Sequence, residues 1–247
     1  MKYAIISDIH ANLQALDAVF ADMQPYADAV VCLGDIVGYN ANPIECLEII
    51  KQRCDVVIAG NHDQAACGVR LYDDFSAYAR EAMDWTRAQL TPEWIHYLRS
   101  LPCTAEFGDC WMAAHGSPRE TDEYLFHSTH FEESFAHLYT NMSDRRACFV
   151  GHTHLPMIWE CTTAGLVTPT LVNNLITQMQ SQHRYIINPG SVGQPRYGGP
   201  EASYVLLDSE TLGVEFRFVP YDVTTAQERI YEAMLPLALA ERLAVGQ

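Results

Sequence analysis

The sequence predicts an α/β fold, with a parallel sheet in its first half and a β-rich second half. Three observations predict it. Short apolar runs alternate with amphipathic runs through the first hundred residues, and the first sixty give β-α-β-α-β, which implies parallel strands joined by right-handed crossovers. After residue 154 the pattern turns to strands separated by Gly- or Pro-bearing turns. Short polar motifs stand where the apolar runs end: Asp8-Ile9-His10, Gly34-Asp35, Gly60-Asn61-His62-Asp63, His115-Gly116 and Gly151-His152-Thr153-His154. In such sheets, sites form at the C-terminal ends of strands.

Each element follows from local pattern. Tyr3–Ser7 reads as a strand, and Asn12–Met23 as a helix with Leu13, Leu16, Val19 and Phe20 at helical spacing. Ala29–Leu33 is a buried strand, followed by a loop through Gly38-Tyr39-Asn40. Asn42 as N-cap and Pro43 in the first turn open a helix whose apolar face is Ile44, Leu47 and Ile50. Val56–Ala59 is the next strand. Residues 64–100 read as a helical insert, with one helix over Asp74–Leu90 and a second starting at Thr91-Pro92-Glu93 and ending near Arg99. Cys103–Phe107 and Cys110–Ala114 form a hairpin around Gly108-Asp109. A helix is expected over His130–Tyr139, and a strand over Ala147–Val150. Met157–Cys161, Tyr185–Asn188, Ser203–Leu207 and Val214–Pro220 read as strands, and Thr224–Leu243 as a helical tail. Residues 162–181 hold no charged side chain and read as an extended hairpin or interface loop. No internal repeat or linker divides the 247 residues, so a single domain over 1–247 is expected.

Composition bounds the function. About half of the residues are apolar, enough for a sizeable core, and no apolar run approaches the roughly 20 residues of a membrane span. The N-terminus reads as a strand rather than a signal peptide, and none of the eight cysteines forms a C-x-x-C pair. They read as reduced, and a cytoplasmic protein is expected. The formal charge is −16, and only two of the 15 basic residues are lysine, Lys2 and Lys51. Such a surface repels long nucleic acids, which argues against a nuclease. A small phosphorylated substrate stays open, because bound cations reverse the local field.

The motifs carry the chemistry. Asp8, His10, Asp35, Asn61, His115, His152 and His154 are enough to build two adjacent metal sites, which clamp a phosphate and activate a water for in-line displacement. Singly, each has a plainer reading: an Asp after a strand caps the next helix, Asn61 or Asp63 caps a turn, and a loop histidine is solvated. Five motifs together at strand ends do not fit that reading.

These five motifs, with Asn188-Pro189-Gly190-Ser191-Val192-Gly193-Gln194-Pro195-Arg196, resemble the calcineurin-like metallophosphoesterases, and in particular their bacterial and archaeal predicted-phosphodiesterase branch. The resemblance runs over nearly the whole chain. It implies a four-layer α-β-β-α sandwich of two mixed sheets flanked by helices. It implies that Asp8, His10 and His154 bind one metal, that Asn61, His115 and His152 bind the other, and that Asp35 bridges them, with a hydroxide between the ions as nucleophile. It gives His62 a catalytic role, stabilising the transition state or protonating the leaving oxygen. The mixed oxygen and imidazole donors suit two ions of Mn, Fe, Zn or Co better than Mg or Ca. The Asp and Arg that support this histidine and grip phosphate in the protein phosphatases are missing from residues 34–40. Arg119 and Arg196 are the remaining phosphate-binding candidates, and Asn12, Tyr39 and Asn40 are candidates to line the pocket. The expected activity is hydrolysis of small or nucleotide-like phosphodiesters. Phosphomonoester hydrolysis and a non-catalytic metal-binding scaffold are the alternatives.

Overall fold

Two six-stranded sheets stack face to face in the computed structural model, which describes residues 1–170, 172 and 176–247. The first runs in the order β3 (Val56–Val57), β2 (Ala29–Cys32), β1 (Lys2–Ile6), β11 (Ala202–Asp208), β12 (Gly213–Val219), β9 (Thr177–Gln178). The second runs β4 (Thr104–Phe107), β5 (Trp111–Ala114), β6 (Ala147–Phe149), β10 (Arg184–Asn188), β7 (Met157–Cys161), β8 (Val167–Thr170). Each sheet holds one parallel trio, β1-β2-β3 in the first and β5-β6-β10 in the second, and its other neighbours pair antiparallel.

Period-two alternation distributes the strand side chains. Tyr3 and Ile5 of β1 point between the sheets, where Val31, Leu33, Phe149, Ile187 and Val205 join them. Ala4 and Ile6 point outward under α1 (Leu13–Met23) and α2 (Pro43–Arg53), against Leu16, Phe20, Leu47 and Ile50. The outer face of the second sheet is covered by Phe131, Phe135 and Leu138 of α6 (Ser128–Asn141). Burying a side chain such as Phe20 or Leu16 stabilises by about 1.5–3 kcal/mol. The result is the expected α-β-β-α order.

Several local expectations shift. Asn42 occupies the N-cap of α2, but its amide donates to Glu45 Oε1 at 2.9 Å instead of capping. The insert begins within α3 (Asn61–Ala66), too short to show a period, and then holds α4 (Ala77–Gln89), capped by Ser76, and α5 (Pro92–Ser100). The tail breaks into α7 (Val223–Glu232) and α8 (Leu237–Glu241), followed by a 3₁₀ turn over Arg242–Ala244. Met234 turns left-handed at φ 55° and Pro236 lacks the N–H that a continuous helix needs. Of the charge-free stretch 162–181, the loop and β8 close a hairpin with β7, and β9 joins the other sheet. Residues 171 and 173–175 lie outside the described residues. Among the described residues, no helix is long and apolar enough to cross a membrane.

Candidate metal centre and cleft

The two parallel trios deliver the polar motifs. Asp8 and His10 follow β1, Asp35 follows β2, Asn61 opens α3 after β3, His115 follows β5, and His152 and His154 follow β6. All seven are buried, as is His62. Backbone bonds zip these loops together. Asp8 N donates to Gly34 O at 3.1 Å, His10 N to Asp35 O at 2.8 Å, and Ala11 N to Ile36 O at 2.8 Å. The sheets are tied to each other at the same place: His152 N donates to Asp8 Oδ2 at 3.1 Å, and Gly193 N to Asp8 O at 2.9 Å. Asp8, His10, Asp35, Tyr39, His152 and His154 all hold left-handed φ between 46° and 65°. Such backbone is uncommon outside glycine and concentrates where function demands it.

Three imidazoles are fixed in one tautomer. His10 Nδ1 donates to Val37 O at 3.2 Å, His115 Nδ1 to Leu33 O at 2.8 Å, and His154 Nδ1 to Gln194 O at 2.6 Å. A carbonyl oxygen only accepts, so each Nδ1 carries the hydrogen and each Nε2 turns inward, bare on the neutral rings of His10 and His154. His10 Nε2 and His154 Nε2 stand 3.2 Å apart, and Asp8 Oδ1 lies 3.8 and 3.2 Å from them. Burial pushes both rings down in pKa. Three acceptor atoms therefore converge with no donor among them. That is no hydrogen bond; it is the arrangement a cation resolves.

A second convergence adjoins the first. His115 Nε2 lies 3.2 Å from Asn61 Oδ1 and 3.3 Å from Asp35 Oδ2, and the Asp35, His115 and His152 ligand atoms lie within 4.8 Å of one another. His152 Nε2 is buried and has no partner. The same Asp35 Oδ2 lies 3.6 Å from His10 Nε2, so one carboxylate faces both groups. Burial would raise the Asp35 carboxyl, but His115 and His62 hold it well below the usual range. Burial would lower His115, but Asp35 and Asp8 drive it up to about 10. Without metal, the His115 proton supplies positive charge that a divalent cation would replace.

His62 is held by packing. Its ring stacks on Phe75, with centroids 4.4 Å apart, and meets Tyr39 at 4.6 Å and His10 at 4.8 Å. Its buried Nδ1 has no partner. Asp63 does not orient it. Its Oδ1 accepts from Ile36 N at 2.9 Å and Val37 N at 3.2 Å, and its Oδ2 from Gly60 N at 3.1 Å, which staples the loop carrying Asp35.

A cavity of about 510 Å³ opens over the metal-facing groups, lined by Asn61, His62, His152, Tyr39 and Arg196 among the expected residues. The other three candidates lie elsewhere. Asn12 caps α1 at Ala15 N and donates to Gly193 O, Asn40 donates to His10 O, and Arg119 is ion-paired with Glu123 and Glu133. Arg70, with its partners Asp74 and Asp122, and Phe75, Tyr124 and Arg242 also line the cleft. Tyr124 sits nine residues past His115, its ring 3.8 Å from that of His152. Arg242 lies in the tail, where the sequence shows only helical pattern. Ser76 and Ala79, at the start of α4, form another part of the cleft wall.

Comparison with known proteins identifies relatives of the whole chain. A family model described as the calcineurin-like phosphoesterase superfamily domain matches residues 1–212. An uncharacterized protein of Methanocaldococcus jannaschii is 37% identical over 250 residues, covering 99% of this chain and 98% of its own. The crystal structure of a metallophosphoesterase from Sphaerobacter thermophilus superposes with a TM-score of 0.87 at 40% identity, over 100% of this chain and 99% of that one. A hypothetical protein from Pyrococcus horikoshii OT3 shares the fold, with a TM-score of 0.79 at 22% identity, over 100% and 98%.

Proposed function

The chain belongs to the calcineurin-like phosphoesterase superfamily, and on that premise we propose that it is a dinuclear-metal phosphodiesterase acting on small, nucleotide-like diesters. The observation that carries the metal reading is the convergence of bare His10 and His154 Nε2 atoms on Asp8 Oδ1. Asp8, His10 and His154 would hold one cation, Asn61, His115 and His152 the other, and Asp35 would face both. This donor set, imidazole with carboxylate and amide oxygen, fits Mn, Fe, Zn or Co. When bound, two such ions supply Lewis-acid charge at the phosphate and a water of lowered pKa.

The protein's own groups do the rest. His62 donates a hydrogen bond to a phosphoryl or leaving-group oxygen, its ring kept in place by Phe75 and Tyr39. Arg196 lines the same cleft. The cleft volume lies in the range of small-molecule sites. Eight unpaired cysteines support a cytoplasmic setting.

Hydrolysis of bis-p-nitrophenyl phosphate and p-nitrophenyl phosphate, compared with Mn²⁺ and after EDTA, tests the reading. Metal-dependent cleavage that favours the diester is expected, and Asp35→Asn should abolish it. Preference for the monoester would reassign the enzyme as a phosphomonoesterase. Unaltered turnover in Asp35→Asn would remove the shared carboxylate from the mechanism.

A further inference from the structure

Among the described residues, five of the thirteen arginines in this acid-rich protein are ion-paired. Arg70, Arg119, Arg145, Arg217 and Arg229 each bridge to Asp or Glu. Arg196 and Arg242 line the cleft, and neither has an Asp or Glu partner among the described residues. Arg196 donates to Gln194 Oε1 at 3.0 Å, and its buried Nε has no partner. Arg242 Nε donates to the backbone oxygen of Gln247. Burial and the neighbouring Arg196 both lower the pKa of Arg242, as expected of like charges held together away from water.

The fold enforces that placement. Gly198 N donates to Gly246 O at 3.0 Å, which locks the turn after Arg242 onto the loop after Arg196. Gly246 holds φ +63°, and a Cβ there would overlap the Gly199 backbone, so the two segments close up only on glycine. Tyr39 and Tyr124 line the same cleft. Two half-buried guanidiniums held side by side repel each other, and a doubly charged anion between them relieves that repulsion. Their planar forks match phosphate oxygens in paired geometry.

We infer that Arg196 and Arg242, flanked by Tyr39 and Tyr124, form an anion subsite beyond the metal-facing groups, which receives a second phosphate of the substrate. The inference rests on the phosphoesterase reading and narrows it: the diester carries another phosphate on one of its two substituents. Arg242, from the far end of the chain, is a specificity residue for that class.

The test titrates alkanediol bisphosphates of increasing length, and the matching monophosphates, into metal-loaded protein by calorimetry. At one length the bisphosphate should bind at least about tenfold tighter than its monophosphate. Arg242→Gln and Arg196→Gln should each bring that ratio toward one. Arg229→Gln removes the same charge from an exposed pair and should preserve it. A ratio near one in the unaltered protein, or one retained in both cleft variants, would overturn the inference. Chelation separates the two readings. Monophosphate binding that survives EDTA counts against the metal-centred reading, whereas a bisphosphate preference that survives it still supports the subsite.

Discussion

Replacing Gly38 with alanine tests whether His62 acts through a fixed ring position. Gly38 sits at φ +93°, and a Cβ there would lie 2.5 Å from His62 Nδ1, well inside van der Waals contact. The backbone cost of alanine in that region is about 1–2 kcal/mol, which corresponds to a fall in Tm of roughly 2–8 °C for a chain of this size. The ring cannot swing away freely, because Phe75, Tyr39 and His10 enclose it. It must therefore move by roughly 1 Å, and a displacement of that size costs on the order of 10²-fold in rate. Metal content should not change, since His62 is not among the expected ligands. Diester kcat, Tm and metal stoichiometry would be measured for Gly38→Ala, His62→Ala and the double variant. The single changes should each lower kcat strongly, and the double should be no worse than His62→Ala alone. Full activity in Gly38→Ala, or losses that multiply in the double variant, would refute the claim that packing against Gly38 positions the histidine.

Two further outcomes follow from the buried charges. Asp63→Asn places an amide among three backbone N–H donors, Ile36, Val37 and Gly60, and leaves at least one unsatisfied. That should cost about 1–3 kcal/mol and loosen Asp35, seen as a lower Tm in EDTA and weaker metal binding by calorimetry; unchanged metal affinity would show that the staple is dispensable. Burial lowers His62 to about 4 and His152 to about 3, so between those values and about 6.5 the unfolded chain binds protons that the metal-free native state does not. Stability of the metal-free protein should therefore fall on acidification through that window, by about 1.4 kcal/mol per pH unit per histidine, and His62→Ala should flatten the slope in urea titrations.

What the sequence made legible was what depends on neighbours along the chain. The β1–α1–β2–α2 order and the position of each ligand candidate after its strand follow from period and punctuation. The bond from Gly60 N to Asp63 has the three-residue spacing of a helix cap, but the donors Ile36 and Val37 come from another loop, and no spacing announces them. Arg119 and Arg196 looked equivalent as loop arginines. Glu123 and Glu133 capture one of them, and only the folded chain shows which. Arg242 reaches the cleft because α7 and α8 break at Met234–Pro236 and fold the tail back onto the loop after Arg196. That contact spans more than forty residues and leaves no periodic trace.

The strain pattern bears on why the site is built this way. Among the described residues, nine non-glycine residues have left-handed φ, and seven of them (Asp8, His10, Ala11, Asp35, Tyr39, His152 and His154) lie in the motif loops. At about 1 kcal/mol each, the burden is a large part of a typical folding free energy. It persists because the backbone bonds from Asp8, His10 and Ala11 to residues 34–36 fix both loops at once. The reward is direction: tight left-handed turns bring side chains from both sheets to within 4 Å of one another, with their lone pairs facing inward. Such an array gains nothing from being empty. Metal binding should therefore raise Tm as well as enable turnover, with saturation at one hundred times Kd adding about 2.7 kcal/mol. A Tm unmoved by Mn²⁺ would mean that the strained loops are held for some purpose other than a cation.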